Sequence, residues 1–262
     1  MDAPSIPLTL EGSYALHQMM RLRGREWKAV SDRDAILAEA AAWLQSMGSA
    51  QTALYSMLGH KGDLLLLHFR RSLQELNEVE LALAKLRLWD YLEPATSYLS
   101  VVELGLYDST ARLHRAFLEQ GLEPGSREWT RAQDEELARQ RKAMEPRLYP
   151  PIPPARHICF YPMDRKRGEH KNWYQVPFAD RVRMMHEHGL VGRRYADHVK
   201  QIITGSIGFD DWEWGVTLFA EEPLWFKKLI YEMRFDEVSA VYALFGTFYV
   251  GLRVENLASL MP

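Results

Sequence analysis

The spacing of apolar positions divides the chain into two series of elements that follow the same order. In the first, Ser13 to Arg23 reads as a strand carrying Tyr14, Leu16, Met19 and Leu22. Ser31-Asp32-Arg33-Asp34 opens a helix in N-cap style; Ile36, Ala40, Trp43 and Leu44 fit helical spacing, and Gly48 stops it. Gln51 to Leu58 is a strand, Gly59 to Asp63 a turn, and Leu64 to Phe69 an unbroken apolar strand expected to be buried on both faces. A helix over Ser72 to Leu88 and a strand over Ser97 to Leu106 complete a β-α-β-β-α-β order.

The second series repeats it. His157 to Met163 is a strand, and Phe178 to His188 a helix stopped by Gly189. Val199 to Ser206 is a strand, Gly208 to Asp211 a turn, and Trp212 to Phe219 a strand. Pro223 opens a helix that runs to about Glu232, Val238 to Ala243 continues the helical region, and Gly246 to Leu252 is the last strand. An offset of 149 residues puts Gly59 on Gly208, Phe69 on Leu218, Leu99 on Phe248 and Val101 on Val250. The fold class is α+β, with tandem ferredoxin-like repeats (βαββαβ twice). Two such sheets can pack face to face or close into a dimeric α+β-barrel-like domain with the helices outside.

Between the series, Asp108 to Gln120 looks helical, Glu123-Pro124-Gly125-Ser126 breaks the chain, and Trp129 to Met144 is a charged helix. Pro146 to Pro154 is stiff and extended, expected to lie across the second half. The organisation is an N-terminal repeat over 1–107, a helical and Pro-rich connector over 108–155, and a C-terminal repeat over 156–262.

Composition narrows the function classes. The 262 residues are 47% hydrophobic and 26% charged, with a net charge of −3. No global basic field draws the chain to nucleic acid or anionic membrane. A single cysteine, Cys159, excludes an intramolecular disulfide framework. No apolar run is long enough to span a bilayer, and Met1 to Glu11 has no secretory signal pattern, so a cytoplasmic location is expected. P-loop, G-x-G-x-x-G, G-x-S-x-G, H-E-x-x-H and C-x-x-C motifs are absent.

Three stretches could carry chemistry. On the helix from Phe178, the apolar stripe Phe178, Val182, Met185 and Gly189 leaves His186 and His188 on opposite flanks, so periodicity does not choose between them. His188, at the expected helix end, could ligate iron through one nitrogen or be a surface histidine. Strand alternation puts Val199, Gln201 and Ile203 on one face; a buried Gln201 would need a ligand or water, and a half-buried one would not. Tyr161 is a redox-active phenol or a core aromatic. The basic stretch Asp164-Arg165-Lys166-Arg167-Gly168, with Arg147, Arg193 and Arg194, suits a polycarboxylate ligand or is a solvated loop.

The stretches Tyr161-Pro162-Met163, Asn172-Trp173-Tyr174, Met185-His186-Glu187-His188-Gly189, Gly192-Arg193-Arg194-Tyr195, Lys200 to Ser206, Phe209 to Phe219 and Tyr231 to Ser239 together resemble the coproheme decarboxylases of the chlorite dismutase superfamily. The resemblance covers nearly all of the second half and only the outline of the first. It implies two ferredoxin-like repeats per chain, commonly assembled as a homopentamer, with the haem site in the C-terminal repeat and no iron site in the N-terminal one. His188 would be the proximal iron ligand. Gln201 would take the distal position, where chlorite dismutases carry an arginine, which argues against chlorite as substrate. Tyr161 would be the catalytic tyrosine with Met163 beside the porphyrin. Arg147, Ser239 and the run Tyr161, Pro162, Met163, Asp164 and Arg165 would hold propionates. Relatives often have a lysine where this chain has Arg165, so a proton-donor role there is in doubt or passes to Lys166.

The implied reaction takes iron-coproporphyrin III (coproheme) as substrate and redox centre and gives haem b. Hydrogen peroxide oxidises the iron, a tyrosyl radical at Tyr161 takes a hydrogen atom from a propionate β-carbon, and loss of carbon dioxide and one electron leaves a vinyl group. A transient contact with a coproporphyrin ferrochelatase is a further implied partner. The alternatives are a chlorite dismutase-like or peroxidase enzyme, and a non-catalytic haem-binding or haem-delivery protein.

Overall fold

In the computed structural model, which describes residues 4–257, each half of the chain is a βαββαβ unit. The first consists of β1 (Thr9–Leu22), a short α1 (Gly24–Lys28), α2 (Arg33–Met47), β2 (Thr52–Leu58), β3 (Leu64–Arg70), α3 (Leu73–Leu83) and β4 (Leu92–Gly105). The connector forms α4 (Tyr107–Glu119) and α5 (Arg127–Leu148). The second unit consists of β5 (His157–Arg165), α6 (Phe178–Arg194), β6 (Lys200–Gly205), β7 (Trp214–Ala220), α7 (Leu224–Met233), α8 (Glu237–Tyr242), β8 (Ala243–Phe245) and β9 (Tyr249–Arg253). The outer boundaries expected at residues 1 and 262 lie outside the described residues.

The strands run β7-β6-β4-β1-β3-β2-β9-β5-β8, and β5 also pairs with β7. That extra pairing closes the sheet into a barrel, with β8 attached to β5 as a short flap. Antiparallel β4–β6 and β2–β9 ladders join the two halves. Gly59 and Gly208, one offset apart, both take a left-handed φ (82° and 88°) in the turn between the two central strands of their unit.

Alternation along the strands sorts the core into layers. Inside the barrel lie Ala15, Met19, Leu65, Leu67, Ile158, Phe160, Ile202 and Phe219. Each such side chain contributes roughly 1.5–3 kcal/mol when fully buried. His17 is also inside, stacked on Phe160 with ring centres 4.0 Å apart and 3.0 Å from the Thr217 hydroxyl. Outside the first unit, Leu54, Leu64 and Leu66 pack with Ile36, Leu37 and Ala40 of α2 and Leu83 of α3. Outside the second, Cys159, Tyr161, Val216 and Leu218 pack with Val191 of α6 and Phe226, Leu229 and Met233 of α7.

Several elements differ from their expected bounds. The helix after Ser72 stops at Leu83, and Arg87–Tyr91 forms a separate 3-10 turn. The last strand, β9, starts at Tyr249 and not at Gly246, and the short β8 follows the helical region at Ala243. Helix α5 runs through Pro146 to Leu148, because this helix is largely exposed and water can satisfy the carbonyl that proline leaves unpaired. Its end is fixed where Leu148, fully buried, lays its carbonyl on the bare backbone of Gly12 in β1. The extended segment that follows lies against the first half, with the Ile152 amide bonded to Ala50 O at 2.8 Å, and Pro153 O accepts from Arg253 of β9 at 2.9 Å.

Candidate functional site

One sheet face of the second unit brings the expected residues together. Alternation in β5 puts Cys159, Tyr161, Met163 and Arg165 on its outer side. The β5–β7 and β6–β7 ladders align Cys159 with Leu218 and Gln201, Tyr161 with Val216 and Ile203, and Met163 with Trp214 and Gly205. Gln201 and Tyr161 therefore share a face, two strands and two residues apart, about 10 Å across and about 7 Å along. Gln201 is partly buried, and Ile203 beside it is 37% exposed, so this row forms the open margin of the face. The Gln201 Nε2 donates weakly to Gly192 O of α6 at 3.5 Å.

Helix α6 covers this face, and it continues past the expected stop at Gly189 to Arg194. A helical glycine costs only about 1 kcal/mol relative to alanine, and burial of Val191 and the packing of Tyr195 beyond it favour continuation. His188 thus lies within the helix and not at its dipole end. The inward stripe is Arg181, Met184, Met185, His188 and Val191, so His188 turns toward the sheet and His186 toward solvent. His186 is exposed, 3.2 Å from Asp108, whereas His188 is only 25% exposed and its Nδ1 lies 2.9 Å from the Asp236 carboxylate.

Asp236 is the N-cap of α8. Its Oδ1 accepts from the Ser239 amide at 2.8 Å, and its Oδ2 accepts from the Ser239 hydroxyl at 3.2 Å. A carboxylate at Nδ1 places the ring proton there, leaving Nε2 as a free lone pair with a fixed direction. Burial pushes the Asp236 carboxyl up, but the bonds from His188 and Ser239 outweigh it and leave the group below its usual range. The sequence reading missed Asp236. The Asp236-Glu237-Val238-Ser239 run carried the signal, since an acidic N-cap answering the amide three residues on is recognisable. Ser239, expected among the propionate ligands, turns its hydroxyl to this pair, 3.5 Å from His188 Nδ1.

Arg165 is not in an exposed basic loop. It ends β5, is 8% exposed, and packs its guanidinium 5.1 Å from the Trp173 ring centre, 6.0 Å from that of Trp214 and 3.6 Å from Met185 Sδ. One terminal nitrogen has no hydrogen-bond partner, and no ion pair reaches it among the described residues. Burial lowers its pKa. A guanidinium buried without an anion is costly, and a carboxylate is the planar partner that suits it. Asp164 is a strut, its Oδ1 accepting from the Glu213 amide at 2.8 Å, and the Glu213 carboxylate accepts from the Arg165 amide at 2.8 Å. Lys166 follows the strand end, its amide bonded to Tyr242 O.

Tyr161 is buried and stacked on Phe248, ring centres 4.5 Å apart and 27° between planes; burial pushes its phenol up. Met163 lies beside it, half-buried, and the Pro162 carbonyl accepts from Gly246 N at 2.8 Å. Arg147 stands exposed at the end of α5, its guanidinium 3.8 Å from Met144 Sδ one turn back. Its described contacts do not reach His188, Tyr161 or Gln201. Among the described residues no group of three or more metal-ligating His, Cys, Asp or Glu side chains occurs, and no helix is long and apolar enough to cross a membrane.

Comparison with known proteins identifies the family and agrees with the fold. The family model described as chlorite dismutase matches residues 33–254. A Staphylococcus carnosus protein named coproheme decarboxylase is 42% identical over 251 residues, spanning 93% of this chain and 92% of that one. A solved structure of a haem-binding protein from Thermus thermophilus superposes with a TM-score of 0.82 at 36% identity, covering 100% of this chain and 99% of that one. A chlorite dismutase variant from Candidatus Nitrospira defluvii shares the fold with a TM-score of 0.71 at 16% identity, covering 96% of each chain. The chain belongs to the chlorite dismutase family.

Proposed function

We propose that this protein is a coproheme decarboxylase, converting two propionates of iron-coproporphyrin III to vinyl groups with hydrogen peroxide and giving haem b. The observation that carries the reading is Arg165: a buried guanidinium with no ion pair among the described residues, on the same sheet face as Tyr161 and below the helix that bears the Asp236-oriented His188. Each round balances as one propionate, one hydrogen peroxide and one proton going to one vinyl, one carbon dioxide and two waters. The porphyrin iron, when bound, would relay the oxidising equivalents that the peroxide supplies.

The chain's own residues then have defined tasks. His188 Nε2 ligates the iron, its direction fixed through Nδ1 by Asp236. Gln201 would offer a neutral amide to the bound group. Tyr161, held as a neutral phenol by burial, can lose a hydrogen atom and regain it. Arg165 holds a propionate, and Arg147, Met163 and the strand from Tyr161 to Arg165 complete the rim. A guanidinium stays protonated, so Arg165 orients charge and does not deliver the proton. The corresponding face of the N-terminal repeat is filled by Leu54, Leu64, Leu66 and Leu83, which supports assigning the iron site to the C-terminal repeat. Assembly as a homopentamer, transient contact with a ferrochelatase and a cytoplasmic location belong to the same proposal; light scattering of the purified protein reads the first.

The ligand assignment is tested by titrating ferric coproporphyrin III into wild type, His188→Ala and His186→Ala and following the Soret band. Only His188→Ala should shift the ferric spectrum and weaken binding. An unchanged spectrum in His188→Ala, with a shift in His186→Ala, would transfer the role to His186.

A further inference from the structure

We propose that Glu103, on β4 of the first repeat, is a positioning residue for carboxylate recognition in the second: it fixes the Trp214 indole on which the Arg165 guanidinium lies. The inference rests on the reading of Arg165 as a propionate ligand. The β4–β6 ladder pairs Val101 with Gly205, so Glu103 sits on the same side of the sheet two residues along. Gly205 is what admits it, since a Cβ at that position would fall on the Glu103 carboxylate. The carboxylate thus lies beside Trp214, whose indole holds it down against the effect of burial; Trp214 is the cross-strand partner of Gly205 on one side and of Met163 on the other.

The second indole beside Arg165 is held from the same stretch of chain. Tyr107, four residues beyond Glu103 at the start of α4, packs edge-on against Trp173, ring centres 6.3 Å apart. Both walls of the Arg165 slot are therefore fastened to the segment that ends the first repeat. Burial pushes the Glu103 carboxyl up, with Glu11 adding to the effect, and no ion pair among the described residues offsets that cost. A site for the indole is what the arrangement gains.

The test is the affinity for ferric coproporphyrin III, read from the Soret band, in variants of the full chain. Arg165→Met is the reference and should weaken binding. Glu103→Leu should weaken it roughly tenfold, the size of one lost hydrogen bond to a charged group. Glu103→Gln, which keeps an acceptor oxygen, should remain near wild type. Because Glu103 acts through Arg165, Glu103→Leu should cost nothing further in the Arg165→Met background. Gly205→Ala, which displaces only the carboxylate, should reproduce the loss and carries the test if Glu103→Leu does not fold. Wild-type affinity in both Glu103→Leu and Gly205→Ala, or an equal loss with and without Arg165, overturns the proposal while leaving the reading of Arg165 intact. Unchanged binding by Arg165→Met removes that reading, and the proposal with it.

Discussion

Arg165 shows how a binding group and a stabilising group can be opposed in one residue. Its guanidinium is desolvated between two indoles, with one terminal nitrogen unpartnered and no ion pair among the described residues, so the unloaded protein bears a cost that a carboxylate would relieve. Arg165→Met should therefore raise the melting temperature of the unloaded protein while weakening coproheme. A lower melting temperature with unaltered affinity, measured by calorimetry and Soret titration, would make Arg165 a structural residue. The basic character of this stretch was legible in the sequence, but the burial of its first arginine was not. Arg165 followed by Lys166 and Arg167 reads as a charge run, and only the continuation of the β5–β8 ladder to Ala243 shows that the first member faces inward.

At the scale of elements, the pairing of α6 with α8 fixes the imidazole of His188, the proposed iron ligand. Asp236 both caps α8 and accepts from His188, so Asp236→Ala should act twice. It should lower stability by about 1 kcal/mol through the lost cap, and it should broaden or shift the ferric coproheme spectrum through the freed ring. A spectrum identical to wild type would separate the cap from the ligand. The existence of α6 and its apolar period were readable, but its end was not. Gly189 and the histidines resemble a terminus, and what carries the helix two turns further is tertiary: Val191 buries against α7, and Tyr195 packs beyond it. The Gln201 strand face was read correctly as shared with Val199 and Ile203, yet how deeply it was buried depended on the covering helix, which no strand period encodes.

Over the whole molecule, the 149-residue offset was visible in turn glycines and element order alone, and the two positive-φ glycines occupy matching turns. Closure into one barrel was one of two options, decided by the β2–β9, β4–β6 and β5–β7 ladders, which depend on contacts too distant in sequence to read. Closure also buries His17, and packing under α2 buries His68; burial lowers both to a pKa of about 3. In each case the unfolded chain binds a proton near pH 6.5 that the folded chain refuses until about pH 3. Stability should thus be full above pH 6.5 and fall on acidification, by about 1.4 kcal/mol per pH unit for each histidine. Denaturant unfolding at pH 7, 6 and 5 reads this, and a flat profile would mean that one or both rings are hydrated. The central claim is chemical, and its most direct measurement is the mass of the porphyrin recovered after ferric coproporphyrin III and then hydrogen peroxide are added to wild type and to Tyr161→Phe. Wild type should yield haem b, two propionates replaced by vinyls, and Tyr161→Phe should not. Recovery of intact or merely bleached coproheme from wild type, or of haem b at the wild-type rate from Tyr161→Phe, would contradict it.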